Sequence, residues 1–380
     1  MTEESAESLR HFKNDGFDRY FGKLVIFGAI LVVLLGLCYA KTEVSLAGND
    51  STRFALIRAV AEQNTFAIDG EVFRTVDRTV IDGKVYSDKP PVPALAIGLL
   101  YKIPHTLFGL NFEEHYGLSI YLVNFFIFTG INLAIYFLFL TALRPLAGSN
   151  AVKYLFVLSL VLGSWLFSYA VVINNHTPAA LLLLGWFLAL RSNRPLAAGL
   201  LAGAALTVEI PVGAMLGVAG GIFYLLALRR SGKYQAFLRY GAGGVAMILL
   251  GAAVNYLGYG TVLPLYLHQS GGTFNIAGGF AEKNFAEYVW EALFGNRGVF
   301  SYQPLTLLAL PVFFGFGGCK LDPAERALAA ATAAIVIFYL VCTSEYGGWA
   351  YGTRYLIPVL PALWYFAARF SLAVMITPVR

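Results

Sequence analysis

The sequence predicts an all-α polytopic membrane protein with about ten transmembrane helices and one large hydrophilic loop after the first of them. Two compositional observations lead there. Hydrophobic residues make up 58% of the chain and charged residues 13%, against about 25% charged in an ordinary soluble domain. Mean hydropathy is +0.66. The third observation is the recurrence of apolar stretches along all 380 residues, which separates a bundle from a soluble domain with an anchor. The 22 tyrosines and 30 phenylalanines suit a chain with many lipid interfaces. A net charge of +5 encodes orientation in such a protein and gives no support to nucleic-acid binding.

The expected spans are Leu24–Ala40, Tyr116–Leu140, Lys153–Ile173, Ala179–Leu190, Leu196–Val208, Val212–Leu228, Leu238–Leu257, Leu305–Phe316, Ala327–Cys342 and Leu356–Phe370. Residues 1–23 form a polar tail, too long and too acidic for a signal-peptide leader, so the first apolar stretch is expected to stay as an anchor. The whole of 1–380 reads as a single transmembrane domain. Arg144, Lys153, Arg191, Arg194, Arg229, Arg230, Lys233, Arg239, Lys320, Arg326 and Arg369 fall in loops on one side if the spans number about ten, and the tail shares that side. That side is expected to be cytoplasmic. Counting Pro91–Phe108 as a further span would reverse every later loop, and this run carries Lys102, His105 and Pro104; an interfacial or re-entrant helix fits it better. Cys38, Cys319 and Cys342 form no CxxC pair, so no disulfide framework or zinc site is indicated, and they are expected to act as small buried hydrophobes.

The first outer loop, 41–115, is the largest hydrophilic element. In "NDSTRFALIRAVAEQN", Phe54, Ile57 and Ala61 recur at helical spacing with Arg53, Arg58 and Glu62 on other faces, which predicts an amphipathic helix lying in the interface. The following stretch alternates and holds two Asp-Gly pairs, which predicts a small hairpin. Further outer loops are 258–303 and 343–355. These three loops hold nearly all the unusual polar residues. Asp50, Arg53, Asp88, Lys89, His176, Glu209, His268, Arg297, Glu345 and Arg354 are expected around a wet cavity, with Trp349 and Tyr351 as aromatic lining. Several of them have plainer readings. Asp50 also suits a helix N-cap, Lys89 a snorkelling lysine, and His176 a polar residue at a helix start marked by Pro178. Arg297 and Arg354, flanked by glycines and aromatics, suit either a ligand site or an interfacial belt. No phosphate-binding glycine loop, no Asp-x-Asp pair and no HExxH stretch occurs. A donor for chemistry on the outer face would have to arrive already activated in the membrane.

Three separated stretches carry a resemblance: "NDSTRFALIRAV" with Asp50, Arg53 and Phe54; "DKPPVPALAIGLLYKIPHTLFG" with Lys89, Pro90, Pro91, Phe108 and Gly109; and the pair "NRGVFSYQP" and "GGWAYGTRYLIPVLP". In this order they resemble the GT-C superfamily of polytopic glycosyltransferases, which use polyprenyl-phosphate sugars; the protein O-mannosyltransferases and the transferase that adds aminoarabinose to lipid A are among its members. The resemblance implies a GT-C fold. It also implies inverting transfer of a single sugar from an undecaprenyl- or decaprenyl-type phosphate to an acceptor on the outer face, in a bacterial inner membrane with the N-terminus in the cytoplasm. Asp50 would be the general base, and Lys89, Arg354 and Arg297 would hold the donor phosphate. Arg53, Asp88, His176, Glu209, His268, Glu345, Tyr351 and Trp349 would line the cavity. The expected partners are a polyprenyl-phosphate-linked sugar, membrane lipid and an acceptor that is glycan, lipid or protein. No diffusible cofactor or divalent metal is expected. Where the family has a second acid after the first, this chain has Ser51, which speaks against a paired-carboxylate or metal-dependent route. A lipid-linked-sugar flippase and a ligase moving a whole glycan are the rival readings. The near absence of ionisable residues inside the spans weighs against a proton-coupled transporter.

Overall fold

The computed structural model describes residues 15–45, 48–70, 72–232, 234–265, 284–315, 320–343 and 352–376. Helix α1 spans Asp15–Tyr39 and α2 Asn49–Gln63. Strands β1 (Arg78–Ile81) and β2 (Lys84–Ser87) follow, then α3 (Pro91–Phe108). A long helix α4 (Tyr116–Leu143) contains a π-helical segment at Asn124–Thr129. Next come α5 (Asn150–Gly163), α6 (Trp165–Tyr169), α7 (His176–Arg191), α8 (Pro195–Val208), α9 (Ile210–Ser231) and α10 (Tyr234–Tyr259). The chain closes with α11 (Phe285–Leu293), α12 (Val299–Tyr302), α13 (Pro304–Phe313, mostly 3₁₀), α14 (Pro323–Cys342) and α15 (Arg354–Met375), whose first turns are also 3₁₀.

Among the described residues, six helices are long and apolar enough to cross a membrane: Tyr20–Tyr39, Tyr116–Leu143, Ile210–Arg229, Tyr234–Tyr259, Pro323–Cys342 and Arg354–Met375. The other four predicted stretches are shorter apolar helices, α5, α7, α8 and α13. Two of these differ in shape from the expectation. The stretch Lys153–Ile173 is broken at Ser164, an extended residue (φ −113°, ψ 172°) whose hydroxyl donates to Leu160 O and accepts from Leu166 N. The stretch Leu305–Phe316, over its described residues, becomes a 3₁₀ run closed by one α turn. Cys38, expected to be buried, is exposed, because α1 leans on the bundle with most of its apolar surface uncovered; Cys342 is half-buried.

The bundle core gathers Trp165, Trp186, Trp364, Tyr365 and Phe366, all almost fully enclosed. Its tightest seam joins α8 to α10. Gly199 and Gly203 stand four residues apart on α8, and a Cβ on Gly199 would collide with the Tyr240 carbonyl, while one on Gly243 would lie 2.5 Å from Leu196 O. Small residues at this spacing let two backbones touch, as in membrane helix pairs generally.

A second core lies in the first loop, built from Phe54, Ile57, Phe73, Ala94, Ile97, Tyr101, Phe112 and Ile120. Here the expected hairpin forms: β1 and β2 pair antiparallel, Val80 opposite Val85. The turn is Asp82-Gly83, both with positive φ (49° and 76°), the geometry that suits the twist of a two-residue hairpin. The expectation of an amphipathic interfacial helix does not hold for α2. Residues 50–57 and 59–61 are all buried, because the hairpin and α3 pack over the face that composition assigned to water. α3 starts at Pro91, ends at Gly109 in the left-handed conformation (φ 68°), and is not among the six long apolar helices.

Candidate active site

One end of the bundle meets the first loop, and the polar residues of the sequence pattern converge there. α2 begins after Gly48 and puts Asp50 in its first turn. The carboxylate folds back on the chain before the helix. Its Oδ2 accepts from Ser45 N (2.9 Å), and its Oδ1 accepts from the Ser45 hydroxyl (2.5 Å) and from Ser51 N (3.1 Å). Ser51 donates in turn to Ser45 O at 2.8 Å. Asp50 is thus a well-held anion, 7% exposed, and it sits within electrostatic reach of Tyr116.

Next on the helix, the Thr52 hydroxyl donates to Asp77 O (2.7 Å) and lies 2.9 Å from the Ser87 hydroxyl, which also accepts from Lys89 N. This joins α2 to the hairpin and to the start of α3. Lys89 Nζ lies 3.0 Å from Asp88 Oδ2 and 3.4 Å from Asp77 Oδ2. Burial lifts the Asp88 carboxyl above the usual carboxylate range, with the Lys89 ammonium opposing it. Among the described residues, no hydrogen bond or ion pair links Asp50 to Lys89; the lysine is matched by two other carboxylates.

Arg53 has the most demanding position. It is 6% exposed, forms no ion pair among the described residues, and its Nε has no hydrogen-bond partner. Burial, and next the like charge of Arg354, push its guanidinium down to about 10, against the pull of Asp88, Glu209 and Asp77. Arg354 opens α15, with its guanidinium carbon 5.8 Å from the Tyr355 ring centroid and its own Nε without a partner. A buried and a half-buried arginine of like charge therefore lie within electrostatic reach of each other.

Beneath them lies a hydrogen-bonded triad. Glu209 is the extended residue between α8 and α9. Its Oε2 meets His176 Nδ1 at 3.0 Å, and its Oε1 accepts from the Tyr339 hydroxyl at 2.5 Å. His176 is packed edge-on against Tyr169 and Tyr355, and Tyr355 stacks on Tyr339 with centroids 4.9 Å apart. Arg297 enters through its backbone: its carbonyl accepts from Thr353 N (3.1 Å) and from the Thr353 hydroxyl (2.8 Å), and its side chain is half-buried. His268, Glu345, Trp349 and Tyr351 lie outside the described residues. Among the described residues, no three His, Cys, Asp or Glu side chains gather to hold a metal ion.

The structure thus joins Arg53, Asp88, Glu209 and Arg354 electrostatically, pairs Lys89 with Asp77 and Asp88, and hangs His176 on Glu209. Sequence reasoning missed Asp77, Tyr339 and Tyr355. In the sequence, Asp77 lies in the alternating stretch and Tyr339 is one aromatic in an apolar span.

The fold and its apolar helices together define an α-helical integral membrane protein. Among solved structures, the chain is similar to ArnT from Cupriavidus metallidurans bound to undecaprenyl phosphate, with a TM-score of 0.55, 17% identity, and coverage of 90% of this chain and 59% of ArnT. It is similar also to apo ArnT from the same organism, with a TM-score of 0.53, 16% identity, and coverage of 90% and 58%. The chain therefore spans about three fifths of ArnT's length. No protein-family model matches the sequence, and no curated protein matches it.

Proposed function

We propose that the protein is a membrane glycosyltransferase that moves a single sugar from an undecaprenyl- or decaprenyl-type phosphate to an acceptor on the extracytoplasmic face. The observation that supports this most is the Arg53–Arg354 pair: one buried and one half-buried guanidinium of like charge, each with a buried Nε that has no hydrogen-bond partner among the described residues. A phosphate oxygen cluster would satisfy both, since guanidinium forks match phosphate geometry and act strongly where water is excluded. The similarity to an ArnT structure that holds undecaprenyl phosphate points the same way.

In this reading, the acceptor hydroxyl attacks the anomeric carbon from the face opposite the phosphate and inverts it. Asp50 takes the hydroxyl proton, a contribution of about 10²–10⁴-fold for general-base help. The anomeric C–O bond breaks with its electron pair going to the phosphate, whose growing charge Arg53, Arg354 and Lys89 stabilise. Lys89 does this from within its Asp77–Asp88 clamp, so the arginines carry more of the task. Positive charge comes from side chains, and the reaction as proposed uses no divalent metal and no diffusible cofactor. The chain crosses the membrane about ten times, with the four short helices completing the count and the basic loops and the N-terminus in the cytoplasm.

The test uses purified full-length protein in lipid nanodiscs with an undecaprenyl-phosphate-linked sugar. The product of wild type should carry one added sugar by mass spectrometry. Asp50→Asn should abolish transfer while undecaprenyl phosphate still binds, and Arg53→Gln and Arg354→Gln should each weaken that binding. Full transfer by Asp50→Asn, or unaltered binding by both arginine variants, would reject the assignment.

A further inference from the structure

We propose that Tyr259 and Asp88 form a subsite for carbohydrate hydroxyl groups beside the arginine pair, an inference that rests on the glycosyltransferase reading for the identity of its ligand. Tyr259 ends α10 and is 7% exposed. Phe66 and Tyr86 hold its ring edge-on, with centroids at 5.8 and 5.3 Å. Its hydroxyl nevertheless has no hydrogen-bond partner among the described residues. Asp88 supplies the complementary orphan: Oδ2 binds Lys89, while Oδ1 is buried with no partner.

The hairpin explains why these two atoms belong together. Side chains alternate along a strand. Tyr86 lies in β2 and Asp88 directly follows the last strand residue, Ser87, whose side chain turns to Thr52. Tyr86 touches Tyr259, so Asp88 is carried toward the same place, and its charge acts on Tyr259. Buried polar atoms in folded proteins nearly always have partners. A donor hydroxyl and an acceptor carboxylate oxygen, both unpartnered and flanked by Phe66 and Tyr86, match a ligand that offers hydroxyls together with an apolar ring face, which is the chemistry of a sugar. Location favours the sugar on the carrier phosphate. Asp88 also acts on Arg53, so a sugar linked to a phosphate at the arginines reaches this corner.

Tyr259→Phe is a clean test because it removes an oxygen to which no described group bonds. The variant should unfold at the same temperature as wild type or higher. Its binding of bare undecaprenyl phosphate should match wild type. Its binding of undecaprenyl phosphate carrying one hexose should fall about fivefold or more, the loss expected for one hydrogen bond. Wild type binding the bare carrier reports on the arginine site alone, so failure there is separate from failure of the subsite. A third arm adds a methyl hexoside to protein already holding the bare carrier. If Tyr259→Phe weakens this ligand and not the carrier-borne sugar, the hydroxyls recognised are those of the acceptor. Equal affinity of wild type and variant in all three arms would overturn the proposal.

Discussion

Replacing Arg53 with Met should make the protein more stable and at the same time deaf to its carrier lipid. The guanidinium is held down to about 10, well below the ordinary arginine value, by burial and by Arg354. At about 1.4 kcal/mol per unit, holding Arg53 charged at neutral pH costs about 3 kcal/mol. Methionine fills a similar volume, and exchanging a buried charge for a packed apolar side chain typically stabilises by about 1–4 kcal/mol. The sign is fixed by linkage. A cation with a depressed folded-state value destabilises fully below that value, and the penalty fades only as pH rises from about 10 toward the ordinary arginine value. At neutral pH the whole gain should therefore be visible, about 1–3 kcal/mol in a denaturant titration of detergent-solubilised protein. Adding undecaprenyl phosphate should then separate the two proteins. A ligand that binds the native state stabilises by mass action, so wild type should gain stability as lipid is added. Losing one buried charged contact costs about 2–5 kcal/mol, at least about 30-fold in affinity, so Arg53→Met should gain almost nothing over the same range. A variant less stable than wild type that still responds to the lipid would show that Arg53 is a structural residue with a hidden partner.

Glu209 bears on two groups at once: Glu209→Ala should leave His176 and the Tyr339 hydroxyl unsatisfied at about 1–3 kcal/mol each, whereas Glu209→Gln should keep most of the stability, as read by thermal unfolding of the two variants side by side. Gly199→Ala should force α8 away from the Tyr240 carbonyl and cost about 1–3 kcal/mol, seen as a lower unfolding midpoint in detergent. Asp88 is lifted by burial, so its ionisation destabilises as pH rises through its raised value; Asp88→Asn should be at least as stable as wild type at neutral pH, and the advantage should vanish in acid, where Asp88 is protonated.

Hydropathy made the apolar helices legible, since each predicted stretch coincides with a helix and the errors fall where a serine or a proline breaks regularity. Ser164 ends α5 through its own hydroxyl, and Pro304 and Pro311 bound a 3₁₀ run that periodicity treats as ordinary helix. The second Asp-Gly pair announced the hairpin because few other sequences accept two positive φ angles in a row. Burial of α2 was illegible for a different reason. Arg53 and Arg58 mark a helix face as wet by residue type, and only the hairpin folding back over it reverses that assignment. The triad was hidden by distance along the chain: Glu209 and Tyr339 are 130 residues apart, and a lone tyrosine in an apolar span gives no spacing to read. Lys89 stood out in the sequence, yet its neutralisation by Asp77 depends on a register set by the hairpin.

One carbonyl, that of Arg297, anchors both the amide and the hydroxyl of Thr353. Arg297, two residues before α12, and Thr353, directly before α15, are therefore fastened together, and Arg354 rides on that joint. A displacement of either segment drags the other along. Thr52 and Lys89, by contrast, are tied to the hairpin through Ser87 by side-chain hydrogen bonds alone, and any give that the proposed carrier requires falls to those bonds.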